Sequence, residues 1–148
     1  MPTIARKKYD LTFQRNPNFP IRIFRENQNK TEPHSHEFTE WIFITSGEAD
    51  HYTELSGCEP IRRGSVLMIP PGGVHAYLEC RDLRLINLLF EPKRLPLPLM
   101  ELYNHPGYKQ MFLPDHEHFK AGHGYPNLTL REEEFKELED LLEHFLKT

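Results

Sequence analysis

Cysteine is almost missing from this chain: Cys58 and Cys80 are the only two among 148 residues, and no C-x-x-C spacing occurs. A disulfide framework is not expected, and both side chains read as free thiols of a reducing cytoplasm, with a single disulfide between them as the alternative. Long apolar runs are missing too. No stretch of about 18 apolar residues and no hydrophobic segment after Met1 can be found, which disfavours a membrane span and secretion. Basic clusters do not exceed Arg6-Lys7-Lys8, and 18 Lys plus Arg against 22 Asp plus Glu leave a net charge of −4. A nucleic-acid-binding surface is therefore not expected within this chain. No internal repeat is evident.

The length suits one domain with a proper core. Thirteen prolines fit a loop-punctuated all-β protein better than a helical bundle. Short β-type runs are expected at residues 21–24, 40–45, 49–54, 66–69, 75–80 and 83–90. Turn signals separate them at Ser46-Gly47, Leu55-Ser56-Gly57 and Pro70-Pro71-Gly72-Gly73. Many short strands at such spacing predict a sandwich or barrel. Trp41 and Phe43 share the strand face opposite to Ile42 and Ile44, so part of the outer wall should be covered. The cover could be the N-terminal segment, the C-terminal helices or a second subunit.

Beyond Pro92 prolines break the chain, with one brief helix expected at 97–104. A longer amphipathic helix is expected at about 130–147. Thr129 and Glu132 form a capping box, acidic residues fill the first turn, and Phe135, Leu138, Leu141, Leu142, Phe145 and Leu146 make an apolar stripe. That stripe would pack on the barrel or pair with a second copy.

Two segments carry the chemistry. The first reads H-x-H-x3-E-x6-G, from His34 through His36 and Glu40 to Gly47. The second reads G-x5-P-x-G-x2-H, from Gly64 through Pro70 and Gly72 to His75. In an extended segment His34, His36 and Glu40 share one face. Phe38, Ile42 and Ile44 share that parity and would line the apolar interior around them. The Gly/Pro corner would deliver His75 into the same interior. Three imidazoles and one carboxylate suit a divalent first-row metal such as Zn, Ni, Fe, Mn or Cu. The same groups could instead serve as a hydrogen-bonding pocket without metal. Tyr77, one inward step from His75, reads either as a donor to a ligand hydroxyl or as an ordinary strand aromatic, with Phe38 and Ile42 as apolar ligand contacts. His116-x-His118 repeats the H-x-H form without a third partner and reads as exposed loop. His51, His105, His123 and His144 stand singly and read as structural or solvated.

These two motifs resemble those of the cupin superfamily, over residues 31–79. Two positions depart from its pattern: Gln28 stands where a Gly usually opens the first motif, and Glu79 where an Asn usually closes the second. The resemblance implies a mainly-β fold, a cupin double-stranded β-helix or jelly-roll barrel, with short helices and one C-terminal amphipathic helix. It divides the chain into a lead-in arm at 1–30, a barrel at 31–92 and a helical segment at 93–148. The run 34–40, the Gly47 turn, residues 64–75, the 83–90 strand and His105-Pro106-Gly107-Tyr108 before the terminal helix are similar, more specifically, to the effector-binding domain of AraC-type transcription regulators. The rhamnose-sensing members are nearest.

That likeness implies a small-molecule effector, often a sugar, bound inside the barrel. It also implies a homodimer formed through the terminal helix, and DNA binding by a helix-turn-helix domain missing from this chain. The chain then reads as a sensory domain cut from a longer regulator, not as an enzyme. The rival is a free-standing metal-dependent cupin enzyme of dioxygenase or sugar isomerase type, since this ligand set leaves two positions open on an octahedral ion. A third reading is an interaction module binding neither metal nor small molecule.

Overall fold

A computed structural model describes residues 5–7, 21–91 and 124–147, with side chains for the latter two stretches. The helix expected at 97–104, the 105–108 run, the His116/His118 pair, His105, His123 and most of the lead-in arm lie outside the described residues. Among the described residues, eight strands and one helix follow in order: β1 (Ala5–Lys7), β2 (Ile21–Asn27), β3 (His34–His36), β4 (Thr39–Thr53), β5 (Gly57–Arg62), β6 (Ser65–Ile69), β7 (His75–Phe90), β8 (Asn127–Thr129) and α1 (Glu132–Leu146). The strands form one hydrogen-bonded system in the order β1-β3-β7-β4-β6-β8, with β2 on β7 and β5 on β4.

Its backbone is the antiparallel pair β4/β7, which runs the length of the barrel. One half of β4 carries β6 and the other carries β5. The final residues of β7 carry β2, while its first residue, His75, pairs with His34 of β3. The ribbon therefore contributes to both walls of a jelly roll. The sequence predicts one strand on each side of Gly47 and one on each side of residues 81–82. Instead each pair fuses into one long strand whose register shifts between Ile44 and Asp50. Gly47 has φ 76°, and Glu79 and Asp82 opposite also take positive φ. Signals read as turns are bulges that bend a continuous ribbon. A Cβ on Gly47 would lie 2.1 Å from the Asp82 carbonyl oxygen, so only glycine fits there.

The apolar residues divide by face. Ile42, Ile44, Leu67, Ile69, Leu83 and Leu85 fill the barrel interior. Phe43, Val66 and Ile86 face outward and are closed over by Phe135 and Leu142 of α1, with Trp41 and Leu138 packed alongside. The outer apolar face marked by Trp41 and Phe43 is thus covered by the terminal helix. Each such buried side chain contributes about 1.5–3 kcal/mol relative to exposure. Polar clamps add direction: Arg63 donates to Glu132, to Glu139 and to the Thr45 carbonyl, and Arg25 of β2 pairs with Glu143.

The helix begins two residues later than the Thr129 cap predicts. Thr129 ends β8, paired with Ser65. Arg131 is the N-cap, and its backbone N–H donates to the Glu134 carboxylate at 3.2 Å. Pairing with β6 outcompetes the local capping signal. The predicted acidic first turn, Glu132 to Glu134, is present.

Candidate functional site

The two motif segments meet through backbone before their side chains do. His34 opens β3 and pairs with His75 of β7, and the Gly72 N–H at the Pro70-Pro71-Gly72-Gly73 corner donates to the His36 carbonyl at 2.9 Å. The first motif is not one straight strand. It bends at Glu37 and Phe38, between β3 and β4. The shared parity nonetheless holds through the bend, and His34, His36, Phe38 and Glu40 all reach one cavity.

The cavity measures about 620 Å³. His34, His36, Glu40 and His75 make one wall, with Tyr77 and Phe38 beside them. Arg22, Phe24 and Glu26 project from β2, and Asn87 and Leu89 from the last part of β7. Ile42 does not join them. It is fully buried in the barrel core with Leu67 and Leu85, so it supports the cavity without lining it. Alternation carries even-numbered residues of β4 inward, but beyond Glu40 apolar packing already fills the interior.

One ligand atom from each of His34, His36 and His75 lies within 4.8 Å of the others. Glu40 Oε2 stands 2.7 Å from His36 Nε2 and 3.3 Å from His75 Nε2. Burial alone would raise the Glu40 carboxyl, but His36 and His75 hold it well below the usual carboxylate range. The outer ring nitrogens are also engaged. His34 Nδ1 lies 2.9 Å from the Glu32 carbonyl, and His36 Nδ1 lies 3.1 Å from the Phe38 carbonyl. A carbonyl acceptor fixes the proton on Nδ1 and leaves Nε2 as the donor atom toward the cluster, the arrangement metal-ligating histidines use. The residues therefore fit a divalent cation: three ring nitrogens, one ionised oxygen and ordered outer contacts.

His51 belongs to this site, although as a single histidine on a strand it carries no motif signal. It is buried, and its Nε2 lies 3.0 Å from His75 Nδ1. Burial first, and then the neighbouring His75, push it down to about 3, so its ring is neutral. With the proton on His75 Nδ1, His51 Nε2 accepts it and the His75 Nε2 lone pair is turned to the cluster. Register could have found it: His51 pairs directly with Tyr77, two residues from His75. Tyr77 is fully buried, and burial raises its phenol well above the usual range, so it is a neutral hydroxyl.

A bent jelly roll with an internal cavity and a cluster of three histidines and one glutamate is a small-molecule-binding cupin. More narrowly, the chain belongs to the AraC-like ligand binding domain family, whose model matches residues 16–123. This is a ligand-binding family, not a catalytic one. The chain is 36% identical over 86 residues to the HTH-type transcriptional activator RhaR of Mannheimia succiniciproducens, a match covering 57% of this chain and 31% of that protein. Among solved structures, a cupin protein from Desulfovibrio desulfuricans is 19% identical at a TM-score of 0.40, over 48% of this chain and 72% of the other. The manganese-containing oxalate decarboxylase of Bacillus subtilis is 18% identical at 0.42, over 49% and 21%. Cys58 and Cys80 are free thiols. Among the described residues no helix is long and apolar enough to cross a membrane.

Proposed function

We propose that this domain is the effector sensor of an AraC-type transcription regulator and that its effector is a carbohydrate held inside the barrel. The observation that carries this reading is the cavity itself, with the His34/His36/His75/Glu40 cluster on one wall and β2 on another. A divalent metal held by those four side chains would supply a Lewis-acidic contact to a ligand oxygen. Its identity, among Zn, Ni, Fe and Mn, is set by availability as much as by geometry.

β2 supports a route for the signal. Its even-numbered residues Arg22, Phe24 and Glu26 face the cavity, while Ile23 packs in the cluster under α1 and Arg25 pairs with Glu143 on the helix. A ligand that settles against the inner face of β2 bears on the strand that holds the helix. The outer face of α1 keeps Leu141 and Phe145 about half exposed, 53% each. We assign this face to a homodimer contact, through which effector binding would alter the spacing of two DNA-binding domains carried elsewhere on the regulator. DNA half-site spacing is geometric, so a small shift suffices. The regulator would act in the cytoplasm, where both thiols stay reduced.

The test is a thermal-shift scan of the domain against monosaccharides and sugar acids. A compound that binds only the folded state raises stability by RT ln(1 + [L]/Kd). A selective shift with a sugar that is recovered chemically unchanged supports a sensor. A sugar converted by the protein would overturn that reading in favour of an enzyme.

A further inference from the structure

Besides His75 Nε2, which faces Glu40 at 3.3 Å in the histidine cluster, two buried polar groups on the cavity wall have no hydrogen-bond partner among the described residues: the Tyr77 hydroxyl and the Asn87 Oδ1. Both side chains are almost wholly buried, at 2% and 3% exposure. Buried polar atoms are nearly always satisfied, so an unsatisfied pair on a cavity wall points to a partner that the protein alone does not provide. Thr39 Oγ1 is also unsatisfied, but it does not line the cavity.

Asn87 is not free to turn. Its Nδ2 donates to Glu26 Oε2 at 3.0 Å, and flipping the amide would set its carbonyl oxygen against a carboxylate. Glu26 therefore fixes Asn87 Oδ1 as a pure acceptor. An acceptor beside a carboxylate repels a ligand carboxylate or phosphate and takes a hydroxyl. Tyr77 can donate or accept, so it can meet another hydroxyl of the same ligand.

Resting on the reading of this cavity as the effector site, we propose that Asn87 and Tyr77 determine specificity by each binding a hydroxyl of the effector. Asn87 accepts the proton of one hydroxyl, and Tyr77, whose ring lies 5.7 Å from that of His75, meets a second one nearer the histidine cluster. The cluster of His34, His36, His75 and Glu40 handles a ligand oxygen lone pair, and Asn87 handles a ligand proton. The effector is thus a polyol that offers Asn87 a hydroxyl and not a carboxylate.

The test measures binding of neutral aldoses and their matched aldonates by calorimetry, with metal content recorded throughout, for wild type and for Asn87→Leu, Asn87→Ser and Tyr77→Phe. The expected result is that a neutral sugar binds and its aldonate does not. Asn87→Leu should weaken the sugar roughly 10- to 100-fold, the range expected for a lost buried partner. Asn87→Ser, which keeps an acceptor and creates no bulk, should be intermediate and serves if the leucine variant misfolds. Tyr77→Phe should weaken the sugar without changing metal content. An aldonate that binds as tightly as its sugar would overturn the proposal, as would undiminished sugar binding in folded Asn87 variants, and either would leave the effector site itself standing. Absence of binding by every sugar and every acid to wild type would instead remove the carbohydrate-sensor reading, and this inference with it.

Discussion

His36 lies between two acceptors: its Nε2 is 2.7 Å from Glu40 Oε2, and its Nδ1 is 3.1 Å from the Phe38 carbonyl oxygen. A neutral imidazole carries one proton and cannot donate to both. The ring must either be doubly protonated or share its Nε2 side with a cation that Glu40 also contacts. A metal ion resolves the conflict, because it takes the Nε2 lone pair and the carboxylate oxygen together. Substituting His36 or His75 with Ala should therefore abolish stoichiometric binding of zinc, nickel or manganese. Elemental analysis and metal calorimetry check it, and full retention of metal in both variants would sink the assignment.

His51 acts one step further out. Its neutral ring accepts from His75 Nδ1, which leaves His75 Nε2 facing the cluster. Removing such an outer contact typically costs 10- to 100-fold in metal affinity. His51→Phe should show a loss of that order, and His51→Gln, which can still accept, should recover much of it. Equal affinities for the two variants would reduce His51 to packing.

What the sequence made legible follows from periodicity. The parity of His34, His36 and Glu40 survives the bend at Glu37 and Phe38, so their convergence with His75 could be foreseen. Ile42 obeys the same parity but falls below the cavity floor, because alternation specifies a face and not a depth. His51 and Asn87 carry no spacing signal; each enters the site only through cross-strand register. Gly47 was legible as a turn and is a bulge instead, since the same left-handed residue serves both.

Gly47 should be intolerant of any side chain. Its φ of 76° strains an L-residue, and its Cβ would overlap the Asp82 carbonyl. The left-handed conformation alone costs on the order of 1–3 kcal/mol, and the overlap adds to that. Gly47→Ala should lower the urea midpoint accordingly with an unchanged m-value. A midpoint within error of wild type would mean that the ribbon can bend elsewhere.

Tyr125 donates its hydroxyl to Glu54 Oε1, whose other oxygen accepts from the Val74 N–H just before His75. Burial, and then the bond to Glu54, raise the Tyr125 phenol above its ordinary value near 10. A group raised in the folded state adds stability below its unfolded pKa and loses it as pH climbs through the folded value. Unfolding midpoints should hold steady to about pH 10 and then fall. Tyr125→Phe should remove that alkaline slope, and an identical slope in the variant would assign it to other groups.

Leu141 and Phe145 differ from the rest of their helix in what holds them. Phe135 and Leu142 are buried against the barrel, so truncating either should unfold the docking of α1. Leu141 and Phe145 sit four residues apart on one helix face, each half exposed, so charge there costs the monomer little. If this face joins two copies, Leu141→Glu with Phe145→Glu should convert a dimer into a monomer in sedimentation while leaving the melting temperature of the diluted protein nearly unchanged. The two readouts separate the explanations. A monomer that also melts early would mean that the face packs on its own barrel, and a wild type that is already monomeric at high concentration would remove the dimer from this helix altogether.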